Sequence, residues 1–274
     1  MSGGPRQAAR AAGWLRVLAW SVRNGLQDAA TIYTLRTWLG GWFLRVVAQV
    51  LFFALVGRLL GSAGTVRELL IGNATALTAL GAHTAVASTT WERRAGTLPL
   101  LLAAPANPLL VLAGRSLNWL LDGTASAYGS FLIVGPLLGL TPRPADLAWL
   151  LLLLPLAAVG SYCLALFLGA LVLRAMDLRN LIMNLATFTT LAFCGVNVPV
   201  AFFPSPIRWL AAGIPFTHML RAVRAALAGA PTPTVAADAL VGMAVALCWL
   251  VVALIAFDRL ERRGRQDGSI EFND

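Results

Sequence analysis

Three polar side chains inside an apolar run are the first candidates for a functional role. Arg115, Asn118 and Asp122 are spaced i, i+3 and i+7, so they share one face of a helix. Ionisable residues within a membrane span usually face protein or a water-filled cavity, which makes Asn118 and Asp122 candidates for a substrate path. The alternative is structural: Asp122 hydrogen-bonds a neighbouring helix or pairs with Arg115, whose side chain reaches toward the membrane surface.

Two histidines are further candidates for this path. His83 lies in an apolar run and has a side chain that titrates near neutral pH, whereas His218 follows Pro215 in a proline-rich segment. His218 in this position would line an exit from the membrane. The alternatives are a packed, hydrogen-bonded His83, since no carboxylate or cysteine stands at ligand spacing from it, and a His218 that anchors the chain at the bilayer surface together with Trp209.

Several kinds of chemistry are excluded by composition. All 21 basic residues are arginines, so the sequence contains no lysine for a phosphate-binding P-loop or a Schiff base. Cys163, Cys194 and Cys248 lie singly in apolar runs, a spacing that favours neither a disulfide nor a metal site. We therefore expect no catalytic residue, no metal and no cofactor bound by this chain, and any nucleotide would be bound by another chain.

A short charged stretch interrupts the apolar sequence at Glu92, Arg93 and Arg94 and continues through Gly96, Thr97 and Leu98. Positive charge in a short loop between two spans keeps that loop on the cytoplasmic side. The loop over 91–108 is therefore predicted to be cytoplasmic and to meet a soluble partner. A plain turn at the membrane boundary, with its arginines extended toward the headgroups, is the alternative.

The elements that hold these residues are predicted to be membrane helices. The chain has 274 residues, of which 58% are hydrophobic and 12% charged, and its apolar residues form runs of about twenty, the length needed to cross a bilayer. The fold class is thus all-α integral membrane. Residues 14–30 form an amphipathic interface helix, and prolines divide 204–233 into short outer half-helices at 207–212 and 216–228. Six spans are predicted at 38–60, 66–90, 112–138, 147–173, 180–203 and 235–257.

The second and fourth spans are expected to differ in their surroundings. Gly72 and Gly81, each followed four residues later by alanine, predict close helix packing, so the second span should lie within protein. The leucine-rich fourth span is expected to face lipid. Fourteen of the 21 arginines fall on the side of the termini, which predicts that both termini are cytoplasmic. The chain then forms a single transmembrane domain, with a cytoplasmic segment over 1–37, a core over 38–257 and a cytoplasmic tail over 258–274.

The order of these features resembles the permease subunits of type-2 ATP-binding-cassette (ABC) exporters, particularly the small daunorubicin-resistance-like permeases. The resemblance covers nearly the whole chain. It is strongest at Glu92-Arg93-Arg94-Ala95-Gly96-Thr97-Leu98, followed by Pro105 and Arg115, and it continues at Asn197-Val198-Pro199 and at Pro215-Phe216-Thr217-His218 with Arg221. The chain departs from the family at Pro99, where relatives often carry glutamate. This proline would make the helix of the loop start near residue 99, change how the loop recognises its ATPase, or mark one member of a heteromeric pair.

The resemblance implies a function and a set of partners. Residues 92–98 would form a coupling helix that docks on a separate cytoplasmic ABC ATPase, which binds ATP and magnesium. A second permease copy or a paralogue would complete a homo- or heterodimer in the bacterial plasma membrane, with no nucleic acid involved. The substrate would be a hydrophobic or amphipathic drug, antibiotic, lipid or peptide. Two alternatives remain: a secondary transporter or channel without an ATPase, and a polytopic membrane enzyme that acts on lipid.

Overall fold

The computed structural model describes residues 4–94, 108–141, 143–173 and 175–267, and the regular structure of these residues is helical. The helices follow in chain order: α1 Gly4–Ile32, α2 Leu35–Leu59, α3 Ala63–Arg94, α4 Pro108–Leu137, α5 Pro144–Val172, α6 Arg179–Phe193, α7 Ser205–Ala212, α8 Pro215–Leu227 and α9 Thr232–Asp267. Single 3₁₀ turns precede α6 and α7, at Met176–Leu178 and Val200–Phe202. The expected half-helices are thus present as α7 and α8.

Four of these helices are long and apolar enough to cross a membrane. They are α2, the Ala63–Ala87 part of α3, α5 and the Thr232–Leu260 part of α9. The described part of the chain is therefore all-helical, as predicted, with four candidate membrane spans. The helix α4 has 30 residues but carries Arg115, Asn118 and Asp122, which lower its hydropathy. The count of six spans stays a prediction.

The fifth predicted span is shorter than the sequence indicates. The apolar run continues to residue 203, but α6 ends at Phe193 after 15 residues. At about 1.5 Å per residue this helix is shorter than the roughly 30 Å hydrocarbon layer. The chain then turns at Gly195, whose φ of 89° lies in the left-handed region that favours glycine. Hydropathy alone could not show this turn, because the residues around it are also apolar.

The centre of the bundle is α3, which packs against α2, α4, α5 and α6. In its candidate span, 89% of the residues are buried, which confirms that this helix lies within protein. Glycines allow the closest approach: a Cβ atom on Gly81 would lie 2.6 Å from the carbonyl oxygen of Trp119, and one on Gly123 would lie 2.7 Å from that of Leu77. The small residues predicted to permit close packing therefore lie at helix crossings.

The helix α5 corrects one expectation from the sequence. Its leucine-rich composition indicated a lipid-facing helix, but 61% of its span is buried, compared with 22% in α9 and 17% in α2. Leu153 and Leu154 are in the core, while the neighbouring Leu151 and Leu152 are exposed. The expectation was wrong for one face, because a uniformly apolar helix carries no periodicity that distinguishes packed positions from lipid-facing ones.

The helix α1 packs along the start of α4. Small residues form this contact: a Cβ atom on Gly25 would collide with the backbone of Arg115, and one on Gly114 would lie 2.5 Å from the Cβ of Ser21. The Arg115 guanidinium forms an ion pair of 2.6 Å with Asp28 at the far end of α1. These contacts fix the end of α1 next to the beginning of α2 and the middle of α4, where the candidate site lies.

Candidate substrate groove

The helix α2 begins with an irregular segment that faces Asp122. Trp38–Phe43 is a π-helix, a rare conformation that is frequent at functional sites. Its sequence, Trp-Leu-Gly-Gly-Trp-Phe, places two glycines in the middle, which lowers the preference for a regular α-helix. The indole Nε1 of Trp38 donates a hydrogen bond of 2.5 Å to Oδ1 of Asp122, and the side chain of Trp42 interacts with the same carboxylate. The π-helix therefore directs two tryptophans to one acid.

A groove of about 400 Å³ lies at this junction of α1, α2 and α4. This volume falls within the range typical of sites for small molecules, about 300–1,000 Å³. The wall includes four aromatic rings and two polar side chains, which are Tyr33, Trp38, Trp42, Trp119, Asn118 and Asp122. The groove is thus mainly apolar and has a small polar region on α4, an arrangement suited to an amphipathic molecule.

Asn118 and Asp122 line the same groove, in agreement with their predicted common face. The amide oxygen of Asn118 is buried and has no hydrogen-bond partner among the described residues. Asp122 interacts with the indoles of α2, while Arg115 pairs with Asp28 of α1. The alternative in which Asp122 hydrogen-bonds a neighbouring helix is thus confirmed, because Trp38 of α2 donates to it. The alternative in which Asp122 pairs with Arg115 is wrong, because that guanidinium pairs with Asp28.

The two histidines lie away from this groove. His83 is 2% exposed, and its Nδ1 is 3.4 Å from Oγ1 of Thr187 at the contact between α3 and α6. His218 is also buried; its Nε2 lies 2.8 Å from the carbonyl oxygen of Ala212, and its Nδ1 lies 2.7 Å from the Arg221 guanidinium. Because arginine only donates, Nδ1 accepts here and Nε2–H donates to Ala212. A place on the substrate path stays a prediction for both.

The short helix α8 is held by a second arginine, Arg224. The Nε atom of Arg224 on α8 is 2.6 Å from the carboxylate of Glu68 on α3, and its Nη2 donates to the carbonyl oxygen of Val196 at 3.3 Å. Burial lowers the pKa of Arg224, and the negative charge of Glu68 opposes this effect. The Asn73 amide donates to Asn197 at 2.9 Å in the same region. These bonds attach the turn after α6 to the start of α3.

The predicted coupling segment is described only in part. Glu92, Arg93 and Arg94 are the last three residues of α3, and their side chains are outside the described part of the structure. Gly96, Thr97 and Leu98 also lie outside the described residues, as does Pro99. The role of this segment therefore stays a prediction.

The tryptophans of the groove were missed by sequence reasoning. Aromatic residues near the end of a membrane helix usually belong to the interfacial belt, so Trp38 and Trp42 suggest no site on their own. The available signal is the pair Gly40-Gly41 between them, since glycines in a span mark local irregularity. That Trp38 meets Asp122, 84 residues further along the chain, follows only from the packing of α2 on α4.

The apolar helical bundle and its groove fit a membrane-embedded transport component. Comparison with protein families agrees with this class: the model of the ABC-2 type transporter family matches residues 26–228, a segment that contains all the groove residues. The match covers more than half of the chain, and the chain belongs to the ABC-2 type transporter family. Members of this family are membrane components of transporters that generally work with an ATPase subunit. No curated protein matches the sequence.

Proposed function

We propose that this chain is the permease subunit of an ABC-2 exporter of the daunorubicin-resistance-like type, and that it carries a hydrophobic or amphipathic substrate out of a bacterial cell. The observation that carries the proposal is the groove between α1, α2 and α4, which lies inside the family-matched segment of a membrane-spanning bundle. Its apolar wall and small polar region suit an amphipathic substrate. The site residues of this function are Asn118 and Asp122.

The energy for transport comes, in this proposal, from a separate cytoplasmic ATPase that binds ATP and magnesium. The sequence has no lysine for a P-loop, so this chain contributes a docking surface. That surface is the segment from Glu92 to Leu98, at the end of α3. Because α3 packs against α2 and α4, movement of its end is transmitted to two of the three helices that line the groove. ATP binding would thereby bias the permease between inward-open and outward-open conformations.

The proposal places both termini on the cytoplasmic side of the plasma membrane and α1 at its inner surface. Several large apolar side chains of α1 are exposed, including Trp14, Leu15 and Trp20, which are 67%, 68% and 61% exposed. Arg16 and Arg23 alternate with them along the sequence, as in helices that lie in the headgroup region. A second permease copy or a paralogue would complete the translocation path.

Purification of the tagged chain from the membranes of its own host tests this proposal. We expect an ABC ATPase to co-purify in a constant ratio in mild detergent, and the complex to hydrolyse ATP with sensitivity to vanadate. The isolated chain should show no ATP-dependent thermal shift. If the chain is purified without an ATPase and still transports solutes along an ion gradient, it is a secondary transporter and the proposal is wrong.

A further inference from the structure

We propose that a second cavity of this chain binds the phosphate group of an anionic phospholipid. The cavity has a volume of about 470 Å³ and lies where α3 and α5 begin and where α4 and α8 end. It shares no lining residue with the groove between α1, α2 and α4. The inference therefore goes beyond the proposed transport function, because this lipid is a bound component of the permease and not its cargo.

The first argument is an arginine that belongs to no ion pair. The guanidinium of Arg67 lies half-buried in the cavity wall, and its Nη2 donates a hydrogen bond to the carbonyl oxygen of Leu227 at the end of α8. None of the ion pairs among the described residues includes Arg67. Arginine has five N–H donors, so several of them remain for a ligand. Their planar arrangement matches the oxygens of a phosphate group.

The second argument is the balance of charge in the cavity, whose charged residues are Arg67, Arg143 and Asp146. The carboxylate of Asp146 accepts hydrogen bonds from Nε and Nη2 of Arg143 at 3.1 and 2.9 Å, and from the backbone N–H of the same residue at 2.9 Å. This acid is thus neutralised by Arg143. The charge of Arg67 is left over, and it gives the cavity a net positive charge that favours an anion.

The third argument is the order of polar and apolar residues along the cavity. Arg67 and Arg143 lie at the helix ends, whereas Leu70 and Ile71 lie about one turn further into α3. Phe131 lies six residues before the end of α4, a depth of about 9 Å at 1.5 Å per residue. A phospholipid has the same order, with its phosphate at the surface and its acyl chains toward the centre of the bilayer. A free phosphate ion would leave the apolar base of the cavity without a contact.

The volume determines which part of the lipid enters. A cavity of about 470 Å³ has the size of a small-molecule site and accommodates a headgroup with the beginning of its chains. The remaining chains would lie along the apolar surface of α4 and α5, where Leu137 and Leu147 are exposed and adjoin cavity residues in the sequence. In the orientation of the proposed function, this lipid belongs to the outer leaflet.

The melting temperature of the purified full chain tests this site. The chain is freed of lipid in an uncharged detergent and is titrated with dioctanoyl phosphatidylglycerol, dioctanoyl phosphatidylcholine or inorganic phosphate. A ligand that binds the folded state raises the melting temperature in proportion to its occupancy and affinity. We expect phosphatidylglycerol to bind about tenfold more tightly than phosphatidylcholine, because the choline of the latter is repelled by both arginines. Inorganic phosphate at the same concentrations should leave the melting temperature unchanged.

Three variants locate the binding. Arg67→Gln should reduce the affinity for phosphatidylglycerol to that for phosphatidylcholine. The matched control is Arg58→Gln, which removes the same charge from an exposed arginine near the end of α2 and should keep the preference. Ala228→Trp fills the cavity from an exposed position in its wall without a change of charge, and it should weaken the binding of both lipids. This variant keeps the test valid if Arg67→Gln fails to fold.

Three results would overturn the inference. The first is equal affinity of the wild type for the two lipids, and the second is a preference for phosphatidylglycerol that survives Arg67→Gln or Ala228→Trp. The third is an equal shift with inorganic phosphate, which would show a site for the free ion. Each of these results leaves the ATPase untested, so the proposed function stands or fails separately by co-purification.

Discussion

Replacement of Glu92, Arg93 and Arg94 together by alanine is expected to abolish ATP-driven transport, with at least a tenfold loss, while the chain still inserts and folds. In the proposed function these side chains hold the ATPase in register. Hydrogen bonds to charged groups are worth about 1.5–3 kcal/mol each, so the loss of three would dissociate or uncouple the partner. Because the three residues are the last of α3, their replacement leaves the packed part of that helix unchanged.

A matched control exists at the other end of the chain. Asp258, Arg259 and Arg262 are also one acid and two arginines near the end of a long helix, and all three are exposed. The pair Asp258–Arg262 is an exposed i, i+4 contact of 3.0 Å, which contributes little to stability. The triple alanine variant at these positions should keep the ATPase and transport. If the Glu92 triple variant also keeps both, the segment is a plain turn at the membrane boundary.

Gly123→Ala is expected to have a large effect on folding. The new Cβ atom would lie 2.7 Å from the carbonyl oxygen of Leu77 and 3.1 Å from the Cα of Gly81, so α3 and α4 would have to separate. Overpacking of this kind costs about 1–3 kcal/mol. Because Asp122 is the preceding residue, we also expect its contact with Trp38 to lengthen. The measurement is the melting temperature of the purified chain in detergent.

Gly41→Ala is the control for this substitution. Gly41 also lies in a helix, but a Cβ atom there would meet nothing within 4 Å. Alanine is favoured over glycine in helices, so this variant should be neutral or slightly more stable. Equal melting temperatures for Gly123→Ala and Gly41→Ala would show that α3 and α4 pack less closely at this crossing than the structure indicates.

The sequence predicted the membrane class, the buried position of α3 and the common face of Asn118 and Asp122. Each of these follows from a local property: the length of an apolar run, the spacing of small residues or the periodicity of a helix. The family resemblance was also confirmed, although the daunorubicin-resistance-like type, the ATPase and the substrate stay proposals.

The parts that were missed depend on contacts between distant segments. Arg115 pairs with Asp28, 87 residues earlier in the chain, and no local pattern could indicate this partner. The π-helix at Trp38–Phe43 and the turn after Phe193 interrupt apolar runs without a change in hydropathy. The two faces of α5 are equally apolar, so composition could not show which of them is packed.

The central claim is that ATP at a separate subunit changes the conformation of this groove. Its most direct test is the rate at which a thiol reagent labels Leu121→Cys, a groove position that is 58% exposed, in a Cys248→Ala background. Leu240→Cys on α9, 69% exposed and outside the groove, is the reference site. In the complex with its ATPase, we predict that ATP with vanadate changes the rate at 121 severalfold and leaves the rate at 240 unchanged. Equal rates at 121 with and without trapped nucleotide, in a complex that hydrolyses ATP, would contradict the account.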